Sequence, residues 1–417
     1  MELTPIHKRV IGLDVHQATI VACAILEDPD GALRIERRTF GAFKRDRSAL
    51  ADWCAALKPD AVVMESTGIY WKSPYAALER RGIRAIVVNA HHIKKVPGRK
   101  TDISDAEWLA SLARAGLLKA SFVPPQKLRE LRLVARQRQK LGGMLAAEKN
   151  RLGKVLADAG IRLGVVVSDI NGKSAQAMIR ALIGGASPEQ ALALASPQLK
   201  KPREEIGAAL DGDISSAHRF VLTATIAHIA ALEAEIWQFD AYLLAQLKDP
   251  VERRALDLLQ TIPGIDRIGA AMLLVEIGAD MTVFRDADAI ASWSGLCPAN
   301  NRSADKQVSA GKRKGGKKLK GNSYVRRLLC EFANAAAKTC CAIQAKYRSL
   351  LLRRGHKRAI IACAHKMLRT IHAMLRKAEP YRDTTVDLEA LVVKRNAPRW
   401  IKALIRFGHL PTTAATR

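Results

Sequence analysis

Four carboxylates stand where this chain could do chemistry: Asp14 in IGLDVH, Glu65 in VVMESTG, and Asp102 with Asp105 in KTDISDAEWLA. Asp14 and Glu65 each close a β-branched apolar run, and α/β sheets collect their chemistry at strand ends. Asp102 and Asp105 are three residues apart, a spacing that on a helix puts both on one face, continuous with Leu109 and Leu112. Acids delivered to one place repel unless a cation joins them. Two hard cations about 4 Å apart would relieve the repulsion and clamp the attacking and leaving oxygens of a phosphodiester displacement. The all-oxygen donor set favours Mg²⁺ or Mn²⁺ over zinc. Any one of these acids alone reads more readily as a turn or helix cap; it is their combination in a basic chain that favours a site. His16 and His91-His92 lie close in sequence and read as surface or loop histidines.

The elements that must position these acids read as α/β over residues 8–120. RVIGLDV, TIVACAIL and LRIERRTFG are three successive strand patterns. SALADWCAAL then reads as helix, AVVMES as a buried strand, TGIYWKSPYAALERRG as helix and IRAIVVNA as strand. Three adjacent strands followed by strand–helix alternation predict a mixed sheet with helices on its faces, the order found in ribonuclease-H-like folds. Pro124-Pro125 ends this unit. From Lys127 to Ile161 the pattern is helical and basic, with Leu128, Leu131, Val134 and Leu141 near heptad spacing and Arg129, Arg132, Arg136 and Arg138 between them. It fits a long charged helix pair packed on a partner, or an ordinary solvated helix. Residues 121–254 read as helical coiled-coil linker and scaffold, 255–385 as a second, mainly helical domain, and 386–417 as a tail with an amphipathic segment near Trp400.

Composition bounds the partners. With 68 Lys plus Arg against 40 Asp plus Glu, the 417 residues carry a net charge of +28. Such a surplus favours a polyanion, since each neutralised phosphate releases counterions. No stretch reads as approaching the ~20 apolar residues of a membrane span, so no membrane partner is expected. Seven cysteines show no CxxC pair and no zinc spacing, as in a reducing cytosol. MELTPIHKRV lacks the apolar core of a signal peptide, and a cytoplasmic, nucleoid-associated location is expected.

The second domain opens with IPGIDRIGAAMLLVEIG, similar to a helix-hairpin-helix whose turn, at Gly264 and Gly269, could bring helix amides to a phosphate; a plain packing turn is the other reading. A glycine-rich segment follows with eight cations and no acid: Lys312, Arg313, Lys314, Lys317, Lys318, Lys320, Arg326 and Arg327. Its glycines permit close approach of backbone to phosphate. Trp293, Leu296, Tyr324 and Leu328 flank it on both sides, which a merely solvated loop does not explain. A serine beside it could act as a nucleophile if a base or metal activates it.

GLDVH, VVMESTGIYW, KTDISDAEWLA, TIPGIDRIGA, ASWSGLCPANN, SAGKRKGGKKLKGN and AIIACAHKML, in this order, resemble the DEDD transposases of the insertion-sequence one-ten family, from about residue 8 to 385. The resemblance implies a RuvC-like domain with acids at Asp14, Glu65, Asp102 and Asp105, a coiled-coil linker, and a C-terminal domain with a catalytic serine. It also implies a covalent serine–DNA link, a tetramer whose subunits share composite sites, and a structured bridge RNA that pairs with donor and target DNA. One departure concerns the serine. Six extra residues separate the CPANN turn from SAGKR, leaving Ser309 favoured by the unbroken downstream match and Ser303 favoured by distance from Pro298. Two other readings remain: a metal-only nuclease resembling a Holliday-junction resolvase, and a non-catalytic nucleic-acid-binding protein.

Overall fold

The computed structural model describes residues 5–66, 68–89, 93, 104–297, 301–303, 306–308, 321–383 and 388–411. Asp102, Ser309, His91, His92 and the cations from Lys312 to Lys320 lie outside them. The chain separates into two compact units, Met1–Gln126 and Lys127–Arg417.

In the first unit β1 (Arg9–Val15), β2 (Thr19–Glu27) and β3 (Leu33–Gly41) run as an antiparallel meander. Helix α1 (Lys44–Leu57) leads to β4 (Ala61–Glu65), and α2 (Lys72–Arg80) to β5 (Ala85–Val88). Helix α3 (Asp105–Arg114) completes the unit. The sheet order is β3-β2-β1-β4-β5, with β4 and β5 parallel to β1, so the sheet is mixed as expected.

Strand alternation assigns the two faces. Ile11, Leu13, Val62 and Met64 pack with Leu50, Trp53 and Leu78 of α1 and α2. Val10, Cys23, Ile25 and Val63 pack with Ala106, Leu109, Ala110 and Leu112 of α3. The result is a three-layer α/β/α domain of ribonuclease-H-like class. Two ion pairs tie α3 across its face: Arg37 of β3 to Glu107 at 2.7 Å, and Arg114 to Glu27 of β2 at 2.6 Å.

Among the described residues the second unit is helical apart from a short ribbon. It contains α4 (Gln126–Asp158), α5 (Leu163–Val166), α6 (Lys173–Ile183), α7 (Pro188–Ala193), α8 (Arg203–Leu210) and α9 (Ser216–Gln246). Next come α10 (Pro250–Gln260), α11 (Arg267–Ile277) and α12 (Ala287–Trp293). Strands β6 (Asn301–Ser303) and β7 (Lys306–Val308) precede α13 (Ser323–Ala336), α14 (Ala342–Arg354), α15 (His356–Lys377) and α16 (Leu388–Arg406).

The charged pattern after Lys127 is one 33-residue helix, and it pairs with α9 of the same chain. Arg138 grips Asp240 with two bonds of 2.7 and 3.0 Å, and Lys149 meets Glu233 at 2.7 Å. Rising numbers on α4 meet falling numbers on α9, so the pair is antiparallel. Helix α9 corrects one expectation. It is long enough and apolar enough to cross a membrane by length and composition, with an 18-residue window of mean hydropathy 1.4. Of its apolar residues Leu222, Ile229, Leu232 and Leu243 are buried within the unit, while Phe220, Trp237 and Tyr242 are exposed.

Candidate active site and nucleic-acid interface

Asp14 and Glu65 are placed by strand register. Leu13 of β1 lies beside Met64 of β4 in parallel pairing, so Asp14 and Glu65 are the next residue along each strand. Both share the parity of Val10 and Val63, and therefore issue from the face that α3 covers. Gly12 makes the third contribution possible. A Cβ built there would stand 2.0 Å from the Ala106 carbonyl oxygen and 2.8 Å from the Ala110 nitrogen. The backbone of α3 thus crosses β1 directly over Gly12, two residues before Asp14, and its first residue is Asp105. Only glycine allows that approach.

The first turn of α3 is acidic, which suits the positive end of a helix. Ser104 is its N-cap, in extended conformation, accepting from the Glu107 amide at 3.3 Å. The described helix starts at Asp105; Asp102, expected on the same helical face, lies outside the described residues. Asp105 is exposed, Glu65 half-buried, and the Asp14 carboxylate 27% exposed. His16 Nε2 lies 3.0 Å from Asp14 Oδ2, a partner the sequence reading set aside as a loop histidine. Among the described residues no three His, Cys, Asp or Glu side chains are close enough to hold a metal ion. The oxygen donor set nevertheless suits a hard divalent cation.

In the second unit the turn between α10 and α11 has the expected form, with Gly264 at φ +85°. Its glycines have packing reasons. A Cβ at Gly264 would meet Phe332 O and Ala336 N at 2.6 Å, and one at Gly269 would meet the Phe332 ring at 2.5 Å. The Gly269 amide already donates to Asp266 Oδ1 at 2.7 Å, so a phosphate there would compete with a carboxylate.

The basic segment is clamped at its base. Gly295, at φ +72°, touches Gly321, where a Cβ would fall 2.4 Å from Gly295 N. The Asn322 amide donates to Trp293 O at 3.0 Å, and the Asn322 side chain caps α13. Within the segment β6 and β7 form an antiparallel ribbon, with Ser303 opposite Lys306 at its turn and Asn301 opposite Val308, the residue before Ser309. Arg326 is half-buried at the Gly295 turn, and Arg327 pairs with Glu331 at 2.9 Å.

The base of this segment is tied to α4 through a residue that sequence reading missed. Glu276 is 1% exposed. It accepts from Arg136 at 2.7 and 2.9 Å and from Asn322 Nδ2 at 2.7 Å, and lies 3.3 Å from Arg132 Nε. Arg132 also donates to the carbonyls of Val275 and Glu276, and faces the Trp293 ring at 5.9 Å. Arg136 stacks on Tyr324 at 4.4 Å. Burial pushes the Arg132 guanidinium down to about 10, against the pull of Glu276. A lone acid in AAMLLVEIG was the available signal, but its arginine partners lie more than a hundred residues away and Asn322 lies 46 away. Glu276→Ala is expected to lower the stability of this unit by about 3–5 kcal/mol, because two part-buried guanidiniums lose the buried carboxylate that pairs with them. Thermal melting checks this, and a loss under 1 kcal/mol would show that the arginines find other partners.

A mixed sheet with acids ending adjacent parallel strands, followed by a basic helical unit, defines a nucleic-acid-processing enzyme built on a ribonuclease-H-like domain. Residues 11–161 match a family model described as "Transposase", and residues 256–348 match the "Transposase IS116/IS110/IS902 family". Together the two matches span more than half of the 417 residues. The chain belongs to the IS110 family of transposases. It is similar to the "Transposase for insertion sequence element IS1111A" of Coxiella burnetii (strain RSA 493 / Nine Mile phase I), 23% identical over 384 residues, covering 90% of this chain and 91% of the relative. The "Insertion element IS900 uncharacterized 42 kDa protein" of Mycobacterium paratuberculosis is 28% identical over 166 residues, 39% of each chain. Among solved structures, Thermus thermophilus RuvC matches with 14% identity and a TM-score of 0.21, covering 27% of this chain and 99% of that one.

Proposed function

We propose that this transposase cuts and rejoins DNA at the ends of an insertion sequence using Asp14, Glu65, Asp102 and Asp105 with a serine nucleophile. The observation that carries the reading is the convergence of Asp14 and Glu65 on the face crossed by α3 at Gly12. The four acids would hold Mg²⁺ or Mn²⁺, which supplies Lewis acidity and charge neutralisation at the phosphate. The chain's own residues supply the rest. Serine Oγ, from Ser309 or Ser303, attacks phosphorus and passes its proton to a carboxylate. The bond from phosphorus to the leaving deoxyribose oxygen breaks, and that oxygen departs as a hydroxyl after taking a proton from water. Reversal with a different strand's hydroxyl rejoins the DNA. Lys312, Arg313, Lys314, Lys317, Lys318, Lys320, Arg326 and Arg327 would hold the scissile phosphates, with the turn at Gly264 lending a backbone contact, while the Gly269 amide stays engaged with Asp266.

The family resemblance supports the finer parts of the same reading: guidance by a bridge RNA, a tetramer with composite sites, and nucleoid association. It also supports dividing the second unit near residue 254 into linker and C-terminal domain. A denaturing gel tests the nucleophile. With a cleavable duplex and bridge RNA, the wild-type chain is expected to give a covalent protein–DNA adduct that Ser309→Ala removes and Ser303→Ala retains. If both variants keep the adduct, the serine mechanism fails. Cleavage without any adduct that is nonetheless lost in Asp14→Asn would favour a metal-only, resolvase-like nuclease.

A further inference from the structure

Helix α16 lies beyond both regions matched by the family models. Its exposed cations Arg395, Arg399, Lys402 and Arg406 are spaced four, three and four residues apart. At about 100° and 1.5 Å per residue, that spacing draws them into one stripe about 60° wide and about 16 Å long. None of the four pairs with an acid among the described residues, and Arg406 faces only the Phe407 ring, at 5.7 Å. From Lys394 to Arg417 the sequence contains no Asp or Glu. The helix is oriented by its opposite side, where Ala397, Ile401 and Ile405 are half-buried and α16 packs on α14.

A solvated helix gains from alternating charges at i,i+4, whereas like charges at that spacing cost a few tenths of a kcal/mol per pair. Arg395 with Arg399 and Lys402 with Arg406 are two such unfavourable neighbours, and Arg399 with Lys402 adds a third at i,i+3. Pro398 inside the helix adds a further penalty by removing a ladder hydrogen bond. A row of phosphates would turn that repulsion into attraction. DNA is the substrate of the family, and about 16 Å of helix covers roughly five phosphates of one strand.

We propose that α16 is a DNA-contact surface in which Arg395, Arg399, Lys402 and Arg406 follow the phosphates of duplex DNA without reading its sequence. The proposed contact draws on residues other than those of the segment 312–327 and is independent of the serine chemistry, so it stands or falls apart from the cleavage mechanism.

The test uses the full chain carrying Asp14→Asn, so that cutting does not disturb binding, and a duplex of arbitrary sequence titrated with salt. Replacing the four cations by Gln is expected to reduce the slope of log K against log salt by about 3.6, at about 0.9 per phosphate contact. Replacement by Lys at the three arginines is expected to keep the slope within about 1 of the parent. Unchanged melting of the Gln variant would exclude a folding defect, since all four side chains are exposed. An unchanged slope overturns the proposal. So does a loss confined to structured RNA, or a loss confined to vesicles of anionic lipid, which Trp400 on the same helix and Phe407 just after it would engage.

Discussion

Asp14→Asn is expected to reduce strand cleavage by on the order of 10³-fold, the scale set by removing one preorganised charge from a transition state, while duplex binding stays within about twofold. The substitution keeps size and shape, and Asp14 is the next-to-last residue of β1, so register with β2 and β4 is preserved. What is lost is one negative charge at the sheet end, where Glu65 and Asp105 remain. The Asp14 carboxylate also contacts His16, so two effects must be separated. His16→Ala removes only the neighbour and is expected to cost less than about tenfold. Single-turnover cleavage of a labelled duplex measures both. Cleavage by Asp14→Asn within tenfold of wild type would mean that the strand-end carboxylates do not serve the reaction.

Gly12→Ala is expected to destabilise the first unit by at least about 3 kcal/mol, at the upper end for an overpacked site, seen as a fall in melting temperature on the order of 10 °C. The added methyl would stand 2.0 Å from the Ala106 carbonyl oxygen. Backbone cannot move aside as a flexible side chain can, so α3 must lift from β1. Displacing α3 also moves Asp105 away from Asp14, so any folded fraction should cleave poorly. Gly31→Ala is the control. Gly31 has φ +86° with nothing within 4 Å of the added carbon, and should cost only about 1 kcal/mol of backbone strain. If the two variants melt alike, close packing at Gly12 is not what holds α3.

Much of the first unit was legible because its signals are local. The β-branched runs ending at Asp14 and Glu65, and the alternation in LRIERRTFG, follow from period-2 geometry alone. The start of α3 could not be read because KTDISDAEWLA offers several polar cap residues, and only the extended conformation of Ser104 selects among them. Gly12 was visible as an isolated glycine in a strand, but that signal does not say what approaches it. Glu276 could be seen as an acid in an apolar run, yet Arg136 and Asn322 come to it from opposite directions along the chain. The apolar character of α9 was underread because its hydrophobic residues are interrupted by single charges that pair with α4.

The pinned base between Gly295 and Gly321 has a consequence for how this segment can vary in length. With its ends held together, the roughly 25 residues between them are a closed loop, whose entropy cost grows only as (3/2)RT ln n. Six added residues raise that cost by about 0.2 kcal/mol, far below the stability of a domain. Insertion inside the pinned loop is therefore nearly free of thermodynamic selection. The ribbon Asn301–Val308 occupies the stretch where the extra residues fall. On the proposed function, selection on its length acts through the reach of the loop toward a phosphate, and a graded series of deletions between Arg302 and Gln307 is expected to change cleavage while melting stays flat.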